Sequence, residues 1–205
     1  MSTGGKKIAV IGAGPAGYTA AQELSKNGYT VDIYDKEDRL GGAIYTGIPE
    51  YRMSKIFLDK VFASMKGDKN ITFHFNTKID CERFEGLRKN YDKVLVATGA
   101  QIENTYGFEP GNGLYAGLTL LYDLNIRGNH EYYKKYKKAM VWGGGNVAMD
   151  CARSLVRIID DVSVVYRRSE EEITANKSEI RDARNENVKF NFLCNVKRVL
   201  RDDSG

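Results

Sequence analysis

Apolar and polar positions fall into short alternating blocks along the chain. Lys7–Ile11 is an apolar run of strand length, and it predicts a buried strand. A glycine-rich turn follows. The spacing then predicts a helix from Pro15 to Asn27, stopped by Gly28. Thr30–Tyr34 predicts a second strand. Ile56, Phe57, Val61 and Met65 recur at helical spacing, so Ser54–Lys66 predicts a helix with Ser54 as N-cap and Gly67 as its stop. Ile71, Phe73 and Phe75 alternate with polar positions, as in a half-buried strand. Lys93–Ala97 predicts a further strand, ending in Thr98-Gly99.

The second half begins with a break. Gly107, Gly111, Gly113 and Gly117 flank Pro110, a composition that predicts a junction between domains. Leu118–Leu124 predicts a short helix. The opening pattern then restarts: a strand over Ala139–Trp142, a turn at Gly143-Gly144-Gly145, a helix over Val147–Ile159 and a strand over Val162–Tyr166. A charged helix over Glu170–Glu186 and a strand over Val188–Cys194 follow. Val196–Leu200 predicts the start of another strand, and Asp202-Asp203-Ser204-Gly205 a hairpin turn after it. Strands alternating with helices argue for parallel sheets with helices on their faces, an α/β class. The expected division is residues 1–115 and 116–205.

Composition narrows the function classes. Hydrophobic residues make up 42% and charged residues 28% of 205 residues, which excludes a disordered chain. There are 21 glycines but 3 prolines, so the glycines belong to defined backbone positions and not to a low-complexity tract. No apolar run reaches the ~18 residues of a membrane span, and the amino terminus lacks the apolar core of a signal peptide, so no membrane is expected and a cytoplasmic setting is. The net charge of +4 is modest. The densest basic run, Lys134-Lys135-Tyr136-Lys137-Lys138, reads as a solvated loop or helix end, and no nucleic-acid partner is expected. Cys81, Cys151 and Cys194 lie far apart with no Cys-x-x-Cys pair, which speaks against a redox dithiol or a metal site; reduced, partly buried thiols are expected.

The chemistry sits in two turns. Gly12-Ala13-Gly14-Pro15-Ala16-Gly17 lies between a strand and a helix, with Asp35 eighteen residues beyond Gly17. Gly12 suits a tight turn, Gly14 lets backbone approach a pyrophosphate, and Gly17 lets helix and strand pack closely. The helix N-terminus offers unpaired N–H groups to phosphate. Asp35 can accept hydrogen bonds from a ribose diol. The second turn, Gly143-Gly144-Gly145-Asn146-Val147-Ala148, begins 131 residues later. The position matching Asp35 is Tyr166, followed by Arg167 and Arg168. Losing the carboxylate removes repulsion against a 2′-phosphate, and two guanidiniums can bind one, so this turn predicts NADP(H) selectivity. Two unlike dinucleotide turns suggest FAD at the first and NADPH at the second, with hydride passing between them.

These residues resemble the FAD/NADPH oxidoreductases typified by the small subunit of glutamate synthase, related to the flavin and NADPH domains of dihydropyrimidine dehydrogenase and to the ferredoxin–NADP transhydrogenase large subunit. Beyond the first turn, the resemblance rests on Asp35-Lys36-Glu37-Asp38-Arg39-Leu40-Gly41-Gly42, on Gly47-Ile48-Pro49-Glu50-Tyr51-Arg52 with Lys55 after it, and on Ala97-Thr98-Gly99-Ala100. In the second half it rests on Gly143 to Asp150 and on Tyr166-Arg167-Arg168. It implies two Rossmann-like domains of the pyridine nucleotide-disulfide oxidoreductase type, the NADPH domain inserted in the FAD domain. It implies FAD contacts at Gly12, Gly14, Pro15, Ala16, Gly17, Asp35, Lys36, Gly41, Gly42, Arg52, Thr98 and Gly99. It implies NADPH contacts at Gly144, Gly145, Asn146, Val147, Arg167 and Arg168. Asp150 is either a carboxylate near the cofactor or a structural partner. No protein acid or base is needed, so no catalytic side chain is assigned. The implied partner is an iron–sulfur or flavin subunit that exchanges electrons with the chain.

The chain also departs from that pattern. No cysteine precedes Cys81, so the cysteine-rich amino-terminal domain common in the family is not expected in these residues. Glu172-Ile173-Thr174-Ala175 replaces the family's Glu-Met-Pro-Ala. In the family the chain returns to the flavin domain after the NADPH domain, and here no such segment follows, so a truncated member with both domains incomplete is expected. The alternative function is a non-catalytic nucleotide-binding module that docks on a partner. A simple NADP-dependent dehydrogenase would leave the first turn and Asp35 unexplained.

Overall fold

In the computed structural model, which describes residues 5–111 and 113–201, the chain gathers into two units, residues 5–46 with 50–101 and residues 47–49 with 102–201. The first unit runs β1 (Lys7–Ile11), α1 (Pro15–Lys26), β2 (Thr30–Tyr34), α2 (Ala43–Thr46), α3 (Lys55–Met65), β3 (Ile71–His74), α4 (Cys81–Asn90) and β4 (Lys93–Val96). Its four strands form one parallel sheet in the order β3-β2-β1-β4. Parallel strands buried on both faces need near-continuous apolar runs, and Val10, Val31 and Ile33 are almost wholly buried. β1, α1 and β2 lie where the sequence predicts them, because Gly12, Pro15 and Gly28 punctuate both ends of the helix. Ser54 occupies the N-cap position of α3 but makes no side-chain cap there; the Glu50 carboxylate instead accepts the Lys55 N–H at 3.2 Å.

α4 is not predicted by the hydrophobic pattern. Only Leu87 of its residues is buried. Its start is set by Asp80, whose carboxylate accepts the Arg83 N–H at 2.9 Å. With Ala9, Ile11 and Leu87 it encloses one face of the sheet, where Asp32 is also buried. The Asp32 carboxylate accepts from Lys7 Nζ at 2.8 Å and Tyr91 OH at 2.6 Å, and lies 3.2 Å from His74 Nε2. Burial pushes the Asp32 carboxyl up, but hydrogen bonds from Lys7, Tyr91 and His74 outweigh it and hold it below the usual range.

The second unit runs α5 (Gly117–Tyr122), a π-helical turn (Asp123–Arg127), α6 (His130–Tyr133), β5 (Lys138–Trp142), α7 (Asn146–Leu155), β6 (Asp161–Tyr166), α8 (Lys177–Asn185) and β7 (Lys189–Phe192). Its strands form a parallel sheet in the order β5-β6-β7. Leu121, Met149, Ala152, Val162, Val164 and Ala183 fill its core. The Glu103 carboxylate reaches the start of α5 and accepts N–H bonds from Leu118 and Thr119. The four lysines of the 134–138 run are exposed between α6 and the start of β5.

Three expectations are corrected here. α7 stops at Leu155, where the chain tightens into a turn and the Ile158 N–H reaches the Leu155 carbonyl, three residues back, at 2.8 Å. α8 starts at Lys177, not Glu170, for a reason that belongs to the second glycine turn below. Val196–Leu200 is not a strand, since among the described residues no strand pairs with it. The expected turn at Asp202-Asp203-Ser204-Gly205 lies outside the described residues. Of the cysteines, all three are free; Cys151 is buried, but Cys81 and Cys194 are exposed. Burial pushes the Cys151 thiol up, with Asp150 and Glu103 adding to it, so this thiol stays protonated.

Arg153 ties α7 to α8. Its guanidinium is 8% exposed and meets Glu179 at 2.5 Å, Glu186 at 2.8 Å and Asp182 at 3.6 Å. Removing the cation leaves these part-buried carboxylates beside one another, with Arg157 still on Glu186, so Arg153→Met is expected to cost about 3 kcal/mol. Urea unfolding followed by the fluorescence of Trp142, the single tryptophan, measures it. The pH dependence has a definite sign. The hydrogen bond from Arg153 pulls the Glu186 carboxyl down, burial opposes it, and Arg157 adds to the pull, leaving it at about 2 against an ordinary 4.5. A depressed carboxylate stabilises the fold fully above about pH 4.5 and loses that contribution as the pH falls toward 2. The acid limb of stability should therefore be shallower in the Arg153 variant.

Candidate functional site

Each unit carries a glycine turn at the carboxyl end of its first strand, between that strand and the next helix. In the first unit the Gly12 N–H donates to the Tyr34 carbonyl at 2.7 Å, so the turn is pinned across β1 and β2. Gly12 has φ +109°, and a Cβ there would lie 2.2 Å from the Ala97 carbonyl oxygen. A Cβ on Gly17 would lie 1.8 Å from the Gly12 carbonyl oxygen. Helix and turn are thus in direct backbone contact, which only glycine allows. Gly14 is the N-cap of α1 with no side-chain cap, and Pro15 opens the helix. Among the described residues no side chain caps the first turn of α1.

The structure brings most of the first set of predicted residues together around this turn. Asp35 follows β2, and its carboxylate accepts the Ala13 N–H at 2.6 Å and the Glu37 N–H at 2.9 Å. Those bonds fix the carboxylate beside the turn. The Gly41 N–H donates to the Ala13 carbonyl at 3.0 Å, and a Cβ on Gly42 would lie 2.9 Å from the Gly14 Cα. Thr98 and Gly99 follow β4, on the other side of β1, and are exposed. Asp35 and Thr98 therefore flank the turn from strands on either side of β1, where the strand order reverses, the usual place for a ligand crevice in such sheets. Lys36 is exposed and lies 3.8 Å from Glu37. Arg52 stands in the turn ahead of α3 and is exposed.

The second turn repeats the plan with changes. The Gly143 N–H donates to the Val165 carbonyl at 3.0 Å, as Gly12 does to Tyr34. Gly143, which opens the turn but is not among the implied NADPH contacts, takes φ +147°. Gly145 is the N-cap of α7, again without a side-chain cap. Asn146 and Val147 open that helix and are exposed, while Asp150 is buried. Ala148 stands where Gly17 stands, so α7 has room for a methyl group that α1 lacks.

Gly144 differs in role. Its carbonyl accepts the Thr174 N–H at 3.1 Å, the Ala175 N–H at 2.9 Å and the Thr174 hydroxyl at 3.1 Å. The Asn146 Oδ1 accepts the Asn176 N–H at 2.9 Å. Four bonds tie 174–176 to the turn and prevent these residues from continuing α8, which explains its late start. A Cβ on Gly144 would lie 2.6 Å from the Tyr166 ring. Tyr166, which the sequence places at the position of Asp35, packs its ring against this turn. Thr174 and Ala175 also shape it, and the replacement of Glu-Met-Pro-Ala by Glu172 to Ala175 is the sequence signal that touches them.

Arg167 and Arg168 follow β6, the strand next to β5, and both are exposed. Among the described residues neither guanidinium has a hydrogen bond or ion pair. The backbone here is fixed, since the Tyr166 and Arg168 carbonyls accept N–H bonds from Cys194 and Leu193 at 3.1 Å. Two cations without a partner among the described residues are thus held on a rigid segment beside an uncapped helix start. Among the described residues no cluster of side chains could hold a metal ion, and no helix is long and apolar enough to cross a membrane.

Comparison with known proteins adds relatives. The pyridine nucleotide-disulphide oxidoreductase family matches residues 6–205. The chain is 39% identical over 199 residues to the NADP(+)-dependent formate dehydrogenase subunit beta of Moorella thermoacetica, covering 94% of this chain and 28% of that protein. It is 33% identical over 203 residues to the glutamate synthase [NADPH] small chain of Escherichia coli (strain K12), covering 92% and 42%. The chain thus spans less than half the length of either relative. Among solved structures, Mycobacterium tuberculosis FprA in complex with NADPH superposes with a TM-score of 0.77 at 24% identity, covering 88% of this chain and 48% of that one. Thioredoxin reductase of T. acidophilum superposes with a TM-score of 0.66 at 16% identity, covering 96% and 67%. Both share the fold of two Rossmann-like units.

Proposed function

Because the chain belongs to the pyridine nucleotide-disulphide oxidoreductase family, we propose that it is the FAD- and NADPH-binding part of an electron-transferring flavoenzyme. The observation that carries this is a contrast between two turns of one design. A carboxylate fixed by two backbone N–H groups stands beside the first, and two arginines, unpaired among the described residues, stand beside the second. A fixed carboxylate favours a ribose diol and repels a 2′-phosphate; open guanidiniums do the reverse.

The residues of both turns fit these groups. Gly12 and Gly17 bring backbone close enough for no side chain to intrude, and the start of α1, with no side-chain cap, would receive a diphosphate. We assign Gly14, Pro15, Ala16, Gly41 and Gly42 to the diphosphate side of FAD, Asp35 and Lys36 to its ribose side, and Arg52, Thr98 and Gly99 to its far end. We assign Gly144, Gly145, Asn146 and Val147 to the diphosphate of NADPH, and Arg167 and Arg168 to its 2′-phosphate. When bound, the two cofactors supply the hydride chemistry. The chain's own residues bind and orient them, and none is required as an acid or base. We take residues 1–115 as the FAD part and 116–205 as the NADPH part, inserted in the first.

Relatives named as a subunit beta and as a small chain support a partner subunit. We infer that this partner carries an iron–sulfur or flavin group and exchanges electrons with the FAD. Three free cysteines, two of them exposed, favour a reducing, cytoplasmic setting. The direct test is colour. Incubated with FAD and passed through gel filtration, the protein should emerge yellow; a colourless protein that still binds NADP+ would favour the non-catalytic module.

A further inference from the structure

Three glutamates stand next to the arginine pair, and among the described residues none pairs with it. The segment reads Arg167-Arg168-Ser169-Glu170-Glu171-Glu172, so two cations precede three anions within a few residues. Such a sequence would ordinarily pair with itself. Instead, Glu170 Oε2 binds Arg184 Nη2 on α8 at 2.7 Å. Glu172 Oε2 accepts the Ser169 N–H at 3.1 Å and the Ser169 hydroxyl at 3.3 Å. Glu170 and Glu172 are thus drawn off by Arg184 and Ser169, while Arg167 and Arg168 stay unpaired among the described residues.

We propose that Arg184 is a positioning residue for nucleotide choice, which holds Glu170 away from Arg167 and Arg168 and so keeps them open to a 2′-phosphate. The proposal rests on the NADPH reading of the second turn and adds to it a residue on another helix. Glu170 stands two residues from Arg168, within reach of one side chain. Released from Arg184, its carboxylate would compete with the phosphate for the guanidiniums. The Glu170–Arg184 pair is itself exposed, at 47% and 46%, so it contributes little to the fold. Its effect should lie in binding.

The test compares NADP+ and NAD+ titrations of the full chain, read by Trp142 fluorescence at the start of the turn. Arg184→Gln should weaken NADP+ about three- to fivefold, the scale of one competing surface pair, and leave NAD+ unchanged. The loss should shrink at high salt, as exposed charges are screened. The double variant Arg184→Gln with Glu170→Gln should regain the wild-type ratio, and Arg184→Lys should keep it. Arg184 also lies over the Phe190 ring at 5.3 Å. Neither glutamine variant can make that cation–π interaction, so recovery in the double variant cannot come from it. Equal weakening of both nucleotides, an unchanged ratio, or no recovery in the double variant overturns the proposal. A wild-type protein that does not prefer NADP+ would instead overturn the NADPH reading beneath it, which sets the two failures apart.

Discussion

Replacing Arg167 and Arg168 together by alanine is expected to weaken NADP+ by roughly 3 kcal/mol relative to NAD+, about a hundredfold. Each guanidinium can give the 2′-phosphate a charge-assisted hydrogen bond, and neither must first break a bond within the protein, since among the described residues both are unpaired. The backbone that carries them is anchored through Tyr166 and Arg168 to the end of β7, so the loss should come from the absent guanidiniums and not from a rearranged loop. NAD+ has no 2′-phosphate and serves as the internal control. Titration of both nucleotides against the variant and the parent gives the ratio. An equal loss for both would mean that the arginines do not read the phosphate.

Gly17→Ala is expected to destabilise the first unit by about 3 kcal/mol and to abolish FAD retention. The new methyl would stand 1.8 Å from the Gly12 carbonyl oxygen and 3.3 Å from Val10 Cγ1. The oxygen belongs to a turn that is itself hydrogen-bonded to β2, so neither partner can yield without moving α1 off the sheet. The second turn provides the contrast. Ala148 already carries the methyl at the matching position, and Ala148→Gly should cost only about 1 kcal/mol through helix propensity. Thermal unfolding and flavin content of the two variants measure the difference. If Gly17→Ala holds FAD as tightly as the parent, the close contact between helix and turn is not what shapes the first site.

Much of this was legible in the residue pattern, and the exceptions have physical causes. β1, α1 and β2 are readable almost to the residue because glycines and a proline mark their ends. α4 is not, because a surface helix that buries only Leu87 has no stripe to detect; Asp80 as its cap is the one local signal. Glu170–Glu186 has the composition of a single helix, yet its first part is held by the Gly144 carbonyl, a contact across thirty residues that no local pattern contains. The glycine turns, Asp35 and the arginine pair are legible because each belongs to a short motif of fixed spacing between a strand and a helix. The contacts that organise them are not: the Ala13 N–H on Asp35, the Thr174–Asn176 tether on the second turn, and Arg184 on Glu170 are all long-range pairings. Val196–Leu200 shows the same limit from the other side, since apolar alternation makes a strand only where a neighbouring strand completes the ladder.

We propose that one chain holds FAD and NADPH at two turns and passes hydride between them. The most direct measurement is the visible spectrum of the FAD-loaded protein under anaerobic conditions, before and after NADPH. Flavin bands should fade when NADPH is added, and fade far less with NADH. Flavin bands untouched by NADPH would contradict it.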